Sequence, residues 1–256
     1  MMETFRLDGK VALVTGGGRG IGEQYCKAFS EAGAGVVVAD RLAQEASAVA
    51  EALSAGGGEA SAVEVDVRST KSVKEMVGHA IKTYEQIDVL MNNAGIALNE
   101  SAENMSDEEW DDVVNINLRG VFVCCREVGK LMIKAGNGGS IINIGSMSGV
   151  ISNNPQPQCA YNASKAGVIM LSKSLAGEWA QHNIRVNTIS PGYVATEMTR
   201  KGLENPEWAQ VWIENTPMKR AGDPHELGPL AVYLASDASS YVTGSNILID
   251  GGYTVW

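Results

Sequence analysis

Short apolar segments alternate with longer amphipathic segments from one end of the sequence to the other. Seven segments are rich in valine, isoleucine and alanine and end at glycine or polar residues, which is typical of buried strands. They are residues 10–16, 35–40, 60–67, 87–95, 140–146, 184–190 and 245–250. Six segments with apolar residues at three- and four-residue spacing predict helices. They are residues 21–32, 43–55, 73–84, 107–134, a stretch that contains 161–165 and ends near 182, and 224–235.

Strands that alternate with helices predict a parallel sheet covered by helices on both faces. Right-handed crossovers then give an α/β doubly wound, Rossmann-type fold with a seven-stranded parallel sheet, in which ligands bind beyond the carboxyl ends of the strands. We expect residues 1–256 to form a single domain, because no linker composition interrupts the alternation. Residues 196–215 lack a regular pattern and contain tryptophan, so we expect an irregular segment and interpret residues 193–215 as a mobile substrate lid.

The composition narrows the possible partners of the protein. The 256 residues are 45% apolar and 20% charged, which is an ordinary balance for a globular protein. The net charge of -10 disfavours binding to nucleic acid and to anionic membrane surfaces. The first ten residues lack a signal-peptide pattern and no apolar run is long enough to cross a membrane, so we expect a cytoplasmic protein.

The cysteines and histidines do not indicate a metal site. The three histidines are far apart in sequence, and the four cysteines form no C-x-x-C pair. We expect no metal ion and reduced, buried thiols at Cys26, Cys124, Cys125 and Cys159.

A glycine-rich segment, TGGGRGIG at residues 15–22, lies where the first strand turns into the first helix. Glycines there allow a tight turn and let the backbone approach a pyrophosphate at the positive end of the helix. Asp40 ends the second strand, where a carboxylate can bind the hydroxyls of an adenine ribose. It would repel the 2′-phosphate of NADP and so favours NAD, whereas Arg19 and Arg41 could neutralise such a phosphate.

Tyr161 and Lys165 are one helical turn apart in the segment CAYNASKAGV. A phenol with an ordinary pKa of about 10 is a poor base at neutral pH, and a neighbouring ammonium lowers that pKa. The pair therefore suits general acid–base catalysis, although a tyrosine and a lysine at this spacing also occur on ordinary helix surfaces.

Seven motifs occur in order along the sequence. They are TGGGRGIG (15–22), Asp66-Val67, NNAG (92–95), Asn117 in NINLRGVF, Ser146 in IINIGS, the Tyr161/Lys165 pair and Pro191-Gly192. Together they resemble the short-chain dehydrogenase/reductase family over nearly the whole chain. The resemblance implies an oxidoreductase that moves a hydride between a secondary alcohol and a nicotinamide ring.

The resemblance also implies which residues bind the cofactor, which we expect to be NAD. Asp66 and Val67 would contact the adenine. Residues 92–95 would back the cofactor, and Val194 and Thr196 would bind the nicotinamide amide. The full expected set is Gly16, Arg19, Gly20, Ile21, Asp40, Arg41, Asp66, Val67, Asn93, Ala94, Gly95, Tyr161, Lys165, Pro191, Gly192, Val194 and Thr196.

By the same resemblance, the catalytic residues are Ser146, Tyr161, Lys165 and Asn117. Tyr161 would be the acid or base, and Lys165 would lower its pKa and bind the nicotinamide ribose. Ser146 would bind the substrate oxygen, although Ser148 is an alternative that gives a shorter spacing to Tyr161. Asn117 would position a water for proton relay by disturbing the long helix that contains it.

The loop SGVISNNPQPQCAY (148–161) and the end of the sequence, GGYTVW, look most like sugar-alcohol dehydrogenases of this family, those of galactitol in particular. Amide side chains can both donate and accept hydrogen bonds, as the vicinal hydroxyls of a polyol require. We expect a polyol or its ketose to contact the side chains of Ser148, Asn153, Gln156 and Tyr193. The open alternative is that the loop amides only satisfy the loop backbone.

Two other functions stay open. A 3-oxoacyl-[acyl-carrier-protein] reductase would need a basic surface for its acidic carrier, and the long helix offers Arg119, Arg126, Lys130 and Lys134. A nucleotide-binding regulator without catalysis is the alternative from another class. The family resemblance further implies a homotetramer, and we expect Trp256 to be buried at a subunit interface.

Overall fold

The computed structural model describes residues 2–256, in which seven strands form one parallel sheet. The strands are β1 (Val11–Thr15), β2 (Gly35–Asp40), β3 (Ala60–Glu64), β4 (Val89–Asn92), β5 (Gly139–Ile144), β6 (Ile184–Pro191) and β7 (Asn246–Ile249). Their order in the sheet is β3-β2-β1-β4-β5-β6-β7, and every pairing is parallel. The strand order reverses between β1 and β4, which is the point where doubly wound sheets bind ligands.

Nine α-helices lie in the described part of the chain. They are α1 (Gly20–Glu31), α2 (Ala43–Ala55), α3 (Thr70–Tyr84), α4 (Asp107–Val114), α5 (Val121–Ala135), α6 (Cys159–Trp179), α7 (Glu197–Glu204), α8 (Pro206–Asn215) and α9 (Gly228–Ala235). Short 3₁₀ turns cover Met2–Phe5, Met147–Gly149, Ala180–His182, Pro224–Leu227 and Asp237–Ser239.

Two apolar cores pack the helices against the sheet, one on each face. The first contains side chains of α3, α5 and α6, among them Met76, Val128 and Val168. The second contains side chains of α1, α2 and α9, among them Phe29 and Leu234. Helices on both faces of a seven-stranded parallel sheet confirm the predicted α/β doubly wound, Rossmann-type fold.

The helix predicted over residues 107–134 is interrupted by one π-helical turn, Asn115–Gly120, between α4 and α5. Asn117 lies in this turn and is completely buried. Its amide accepts the N–H of Ile96 and donates to the carbonyl of Ile96, both at 2.9 Å. This pair of bonds fixes the turn to the segment after β4, and the expected disturbance of the long helix at Asn117 is confirmed.

The prediction that residues 196–215 are irregular is wrong, because α7 and α8 cover most of this segment. Asn205 accepts the N–H groups of Glu207 and Trp208, and it thereby caps α8. Trp212 on α8 packs against Gly202 on α7, where the Cβ of any other residue would overlap the indole ring. The cap and the packing between the two helices stabilise α7 and α8, which have only eight and ten residues, and the mobility of the segment stays a prediction.

Three of the four thiols are buried as expected, and the expectation for the fourth is wrong. Cys159 is exposed because it begins α6 at the end of a surface loop. In residues 2–256 no helix combines the length and apolarity that a membrane span requires. Trp256 is 80% exposed in the single chain, so its burial against another subunit stays a prediction.

Candidate active site

The turn from β1 to α1 leaves room for a pyrophosphate. Gly16 and Gly20 have φ values of 64° and 59°, which glycine adopts without strain. A Cβ at Gly16 would lie 2.8 Å from the Cα of Ala94, and one at Gly22 would overlap the carbonyl of Gly16. Nothing in the described structure lies within 4 Å of a Cβ placed on Gly20. The glycines therefore close the turn and keep its outer side open.

The first turn of α1 is suited to an anion. Its N-cap residue, Arg19, makes no side-chain cap, whereas Ser69 and Ser106 cap α3 and α4 with their hydroxyls. The first N–H groups of α1 thus keep their capacity to bind phosphate oxygens at the positive end of the helix. Ile21, the other residue expected here, lies in this first turn and is partly exposed. This turn, with its open glycine side, fits the bound dinucleotide that the sequence predicts.

Asp40 ends β2 beside this turn, and two backbone donors fix its carboxylate. The N–H of Gly18 donates to Oδ2 and the N–H of Leu42 donates to Oδ1, each at 3.0 Å. Arg19 is paired with Glu197 at the start of α7, with 3.1 Å between Nη1 and Oε2. A negative charge is therefore fixed where an adenine ribose would lie, and one of the two candidate phosphate-binding arginines already has a carboxylate partner.

Asp66 and Val67 follow β3, as expected for an adenine site. Arg68, which sequence reasoning missed, pairs with Asp66 at 2.9 Å between Nη2 and Oδ2. This hydrogen bond is the main reason that the pKa of Asp66 lies below its ordinary value, and the charge of Arg41 adds a smaller contribution. Val67 is buried and packs against Gly120 in the π-helical turn. The only signal for this ion pair in the sequence was an arginine two residues after Asp66.

The NNAG segment connects the phosphate turn to the catalytic residues. The amide of Asn93 donates to the carbonyl of Gly16 at 2.9 Å, and the N–H of Ala94 donates to the hydroxyl of Thr15 at 3.3 Å. A Cβ at Gly95 would lie 3.2 Å from Oδ1 of Asn117 and 3.6 Å from Nζ of Lys165. The fold therefore brings Gly95, Asn117 and Lys165 into one small region.

Ser146, Tyr161 and Lys165 meet where β5 faces the first turns of α6. Nζ of Lys165 donates to the carbonyl of Ile144 at 2.7 Å and lies 5.6 Å from the centroid of the Tyr161 ring. Ser146 follows β5 and lies close enough to the phenol of Tyr161 to influence its pKa. Lys165 is only 4% exposed, whereas Tyr161 is partly exposed. The predicted catalytic groups thus lie together in one part of the fold.

The geometry also separates Ser146 from its alternative. The hydroxyl of Ser148 accepts a hydrogen bond from the amide of Gln158 at 3.2 Å, whereas Ser146 is the serine that influences the pKa of Tyr161. The hydroxyl of Ser146 additionally accepts the N–H of Ser148 at 3.1 Å. Ser146 is therefore the better candidate to bind an oxygen that exchanges a proton with Tyr161.

The pKa of Tyr161 is shifted in the opposite direction from the one that the sequence suggested. Burial raises this pKa above its ordinary value, and the hydrogen bond with Ser146 opposes the effect without reversing it. Burial also lowers the pKa of Lys165 from 10.5 to about 8. The low-polarity surroundings disfavour both charged forms. The free protein therefore holds a neutral phenol, which is the form that can donate a proton to a ketone.

Lys165 should make stability depend on pH in a specific window. Between pH 8 and 10.5 the unfolded chain binds a proton at Lys165 that the folded chain has lost. Stability from this group therefore rises with pH through that window, by about 3 kcal/mol when the two pKa values are converted. Urea unfolding at several pH values should show that the free energy of unfolding of wild type rises relative to that of Lys165→Met by about this amount between pH 8 and 10.5. The exposed Lys173 on the same helix is the control, and parallel curves for wild type and Lys165→Met would contradict the prediction.

The four residues expected to contact substrate are connected by hydrogen bonds. Tyr193 accepts from the amides of Asn153 and Gln156, at 3.1 and 2.9 Å. The amide of Gln158 donates to Asn153 at 2.9 Å as well as to Ser148, so the connection reaches the serines after β5. The loop amides therefore bond mainly to other side chains rather than to the loop backbone.

Trp212 belongs to the same cluster and was not identified as a site residue from the sequence. Its ring stacks on Tyr193 with centroids 3.9 Å apart, and its indole N–H donates to Gln156 at 3.0 Å. Tyr253 also contacts Tyr193, in an edge-on arrangement with centroids 5.4 Å apart. The only signal in the sequence was the unusual presence of tryptophan in the expected lid.

The residues expected at the nicotinamide end follow β6. A Cβ at Gly192 would lie 2.7 Å from the Cα of Asp250, so glycine permits this close approach after Pro191. The side chain of Val194 is buried in the second core, and its carbonyl accepts the hydroxyl of Thr199. Thr196 is the N-cap residue of α7. These positions follow the carboxyl end of the sheet, where the cofactor is expected.

Comparisons with known proteins agree with this geometry. A family model described as Enoyl-(Acyl carrier protein) reductase matches residues 16–254. Galactitol 2-dehydrogenase (L-tagatose-forming) of Cereibacter sphaeroides is 43% identical over 252 residues, which cover 98% of this chain and 98% of that protein. The 3-oxoacyl-[acyl-carrier-protein] reductase FabG of Chlamydia pneumoniae is 40% identical over 248 residues, which cover 97% and 98%. The solved structure of gox2181 is 46% identical, covers 100% of this chain and 99% of its own, and has a TM-score of 0.98. The chain therefore belongs to the short-chain dehydrogenase/reductase family of oxidoreductases, as its motifs predicted.

Proposed function

We propose that the protein is an NAD-dependent dehydrogenase that interconverts a sugar alcohol and its ketose. The observation that supports this most directly is the hydrogen-bonded cluster of amides and hydroxyls that begins at Ser146 and continues to Tyr193. A substrate with several hydroxyls needs such partners beyond its reacting carbon, whereas a simple alcohol does not.

The proton chemistry follows from the catalytic groups. The oxygen of the substrate would accept a hydrogen bond from Ser146 while Tyr161 removes or returns its proton. The positive charge of Lys165 would stabilise the phenolate form of Tyr161 during oxidation, because opposite charges favour ionisation. Bound NAD would supply the acceptor for the hydride that leaves the carbinol carbon. Asn117 would keep the π-helical turn and the NNAG segment in register through its bonds to Ile96.

The preference for NAD rests on the charges around the ribose site. The carboxylate of Asp40 is held by Gly18 and Leu42, so it cannot easily turn away from a 2′-phosphate. Arg19 is partnered by Glu197, and Arg41 lies close enough to Asp66 to affect its pKa. The local balance therefore opposes an additional phosphate and favours the free hydroxyls of NAD.

A 3-oxoacyl-[acyl-carrier-protein] reductase is the second candidate, because one relative with that name is 40% identical. Its acidic carrier would need basic groups on α5 and the π-helical turn before it. Glu127 pairs with Arg126 at 2.7 Å and with Lys130 at 3.4 Å, while Arg119 donates to the carbonyl of Arg68. Three of the four basic groups thus already have partners, which makes this surface less suited to an acidic carrier.

Initial rates with a panel of substrates test the proposal. We expect hexitols or pentitols to be oxidised with a higher kcat/KM than 2-butanol, and NAD⁺ to be preferred to NADP⁺ by about tenfold or more. The rate of reduction of an acetoacetyl thioester, measured with NADH and with NADPH, tests the reductase alternative in the same panel. Rapid reduction of the thioester with no oxidation of any polyol would overturn the proposal.

We also propose that the protein is a homotetramer. The exposed aromatic residues Tyr241 and Trp256 and the exposed Val255 support the proposal, because large apolar side chains on a surface are typical of subunit interfaces.

A further inference from the structure

The hydrogen bonds around Tyr193 have a direction that is set by Trp212. An indole N–H can only donate, so the atom of Gln156 that faces it at 3.0 Å must be the amide oxygen. The NH₂ group of Gln156 then points to the hydroxyl of Tyr193 and donates to it at 2.9 Å. The oxygen and the nitrogen of an amide have nearly the same shape, so shape alone does not assign them. The indole N–H of Trp212 does assign them for Gln156.

A second amide approaches Tyr193 in the same sense. The oxygen of Asn153 accepts from Gln158 at 2.9 Å, and its NH₂ group donates to the hydroxyl of Tyr193 at 3.1 Å. The phenol oxygen of Tyr193 therefore already accepts two hydrogen bonds. Tyr193 therefore has one remaining hydrogen-bonding function, the donation of its own proton.

The cluster is rigid enough to maintain this direction. Gln156 and Trp212 are each only 4% exposed. The indole is stacked on Tyr193 at an angle of 9°, and Gly202 leaves the space that its far edge needs. Burial is the main cause that raises the pKa of Tyr193 to about 12, so the phenol keeps its proton at every pH at which the enzyme would be assayed.

We infer that Trp212 and Gln156 are positioning residues that make Tyr193 an obligate hydrogen-bond donor to a hydroxyl oxygen of the sugar alcohol, away from the carbon that is oxidised. The inference rests on the proposed function and deepens it, because it assigns the residues that distinguish a polyol from a simple secondary alcohol. Tyr253 is the other acceptor within reach of the phenol, since its hydroxyl also influences the pKa of Tyr193. The substrate oxygen would compete with Tyr253 for this proton.

The replacement Gln156→Glu is the sharpest test because it preserves the shape of the side chain and its contacts with Trp212 and Tyr193, and changes only the direction of the bond to Tyr193. The new carboxylate accepts from the indole and also from the phenol, so Tyr193 donates to the protein instead of the substrate. We expect the KM for a hexitol to rise about three- to tenfold, as in Tyr193→Phe, because a neutral hydrogen bond is lost. The KM for 2-butanol and the KM for NAD⁺ should change less than about twofold. The variant that combines Gln156→Glu with Tyr193→Phe should show no further rise in the KM for hexitol.

The pH dependence of Gln156→Glu separates a directional role from a merely structural one. Once the introduced carboxyl group is protonated, it can donate to Tyr193 as the amide does, so the ratio of kcat/KM for hexitol to that for 2-butanol should recover as pH falls. The same ratio should stay level in wild type and in Tyr193→Phe, because the titration of Tyr161 affects both substrates equally. Trp212→Phe keeps the stacked ring without the N–H and should lower the ratio at every pH.

Three outcomes would overturn the inference. The first is a KM for hexitol in Gln156→Glu that equals the wild-type value. The second is an equal rise in KM for hexitol and for 2-butanol in Gln156→Glu, Tyr193→Phe and Trp212→Phe. The third is a rise in KM for hexitol in Tyr253→Phe as large as that in Tyr193→Phe, since the loss of a competing acceptor should free the phenol proton for the substrate and should not weaken substrate binding. A wild-type enzyme that does not prefer any polyol to 2-butanol would instead remove the proposed function, and the inference with it. Circular dichroism and thermal melts establish that each variant is folded.

Discussion

Replacing Tyr161 with phenylalanine should lower the turnover number for sugar-alcohol oxidation by about 10²- to 10⁴-fold, which is the usual contribution of a general acid or base. The change removes one oxygen and leaves the ring that packs at the start of α6. Binding of NAD should therefore stay within about threefold of wild type. Steady-state kinetics and a direct binding measurement, such as quenching of tryptophan fluorescence by NADH, separate the two quantities.

The expected loss is large because the neighbouring groups cannot replace the phenol. Ser146 already accepts the N–H of Ser148, and Lys165 donates to the carbonyl of Ile144. Burial raises the pKa of Tyr161, so the phenol is held in its neutral form until a positive charge stabilises the anion. Removal of its hydroxyl leaves the substrate proton without an acceptor of suitable position.

Tyr233→Phe provides the matched control. Its ring lies on α9 against Phe5, with centroids 6.1 Å apart, on the outside of the second core, whereas α6 packs in the first core. The same loss of one phenol oxygen there should leave turnover unchanged. If Tyr161→Phe instead weakened nucleotide binding while the rate per bound cofactor was retained, a nucleotide-binding regulator would be the better description of the protein.

The fold could be predicted from the sequence because its signals are local. Each strand is a short apolar run, and burial on both faces makes that run continuous, as in residues 11–15 and 35–40. The phosphate turn is also local, since its glycines and its helix follow one another. The ends of the elements were less certain: the strand predicted over 60–67 ends at Glu64, after which Asp66 turns out to pair with Arg68.

The remaining features depend on contacts between distant parts of the chain. α7 and α8 are stabilised by Trp212, which contacts Gly202 on α7 and also Tyr193 and Gln156 in the loops after β6 and before α6. The raised pKa of Tyr161 has the same origin, because the helical spacing reveals the lysine but not the desolvation that the surrounding chain imposes on both groups. Position in sequence indicates which groups can meet, whereas the polarity of their surroundings appears only in the folded chain.

The charge of Asp40 should determine which dinucleotide the enzyme uses. In Asp40→Asn the side-chain oxygen can still accept the N–H of Gly18 or Leu42, so the turn should keep its shape. Removal of the charge relieves a repulsion of about 1 to 4 kcal/mol per charge pair with a 2′-phosphate. It also weakens a bond from the ribose hydroxyl that is worth about 1.5 to 3 kcal/mol when its acceptor is charged. Both effects act in one direction, so the ratio of kcat/KM for NADP⁺ to that for NAD⁺ should rise by about 10²- to 10³-fold.

Glu45→Gln distinguishes a contact at the ribose from the general field of an acidic protein. Glu45 lies in the first turn of α2, and its Cβ would lie 2.9 Å from a Cβ placed on Gly18, whose N–H donates to Asp40, while the side chain of Glu45 is exposed. Removal of this charge should change the cofactor ratio less than about twofold, since exposed charges are well screened. A similar ratio in Asp40→Asn and wild type would mean that Arg19 and Arg41 already neutralise the phosphate. Repeating the comparison in 0.5 M salt should leave most of the Asp40 effect in place, because the carboxylate is fixed by the backbone and only partly exposed.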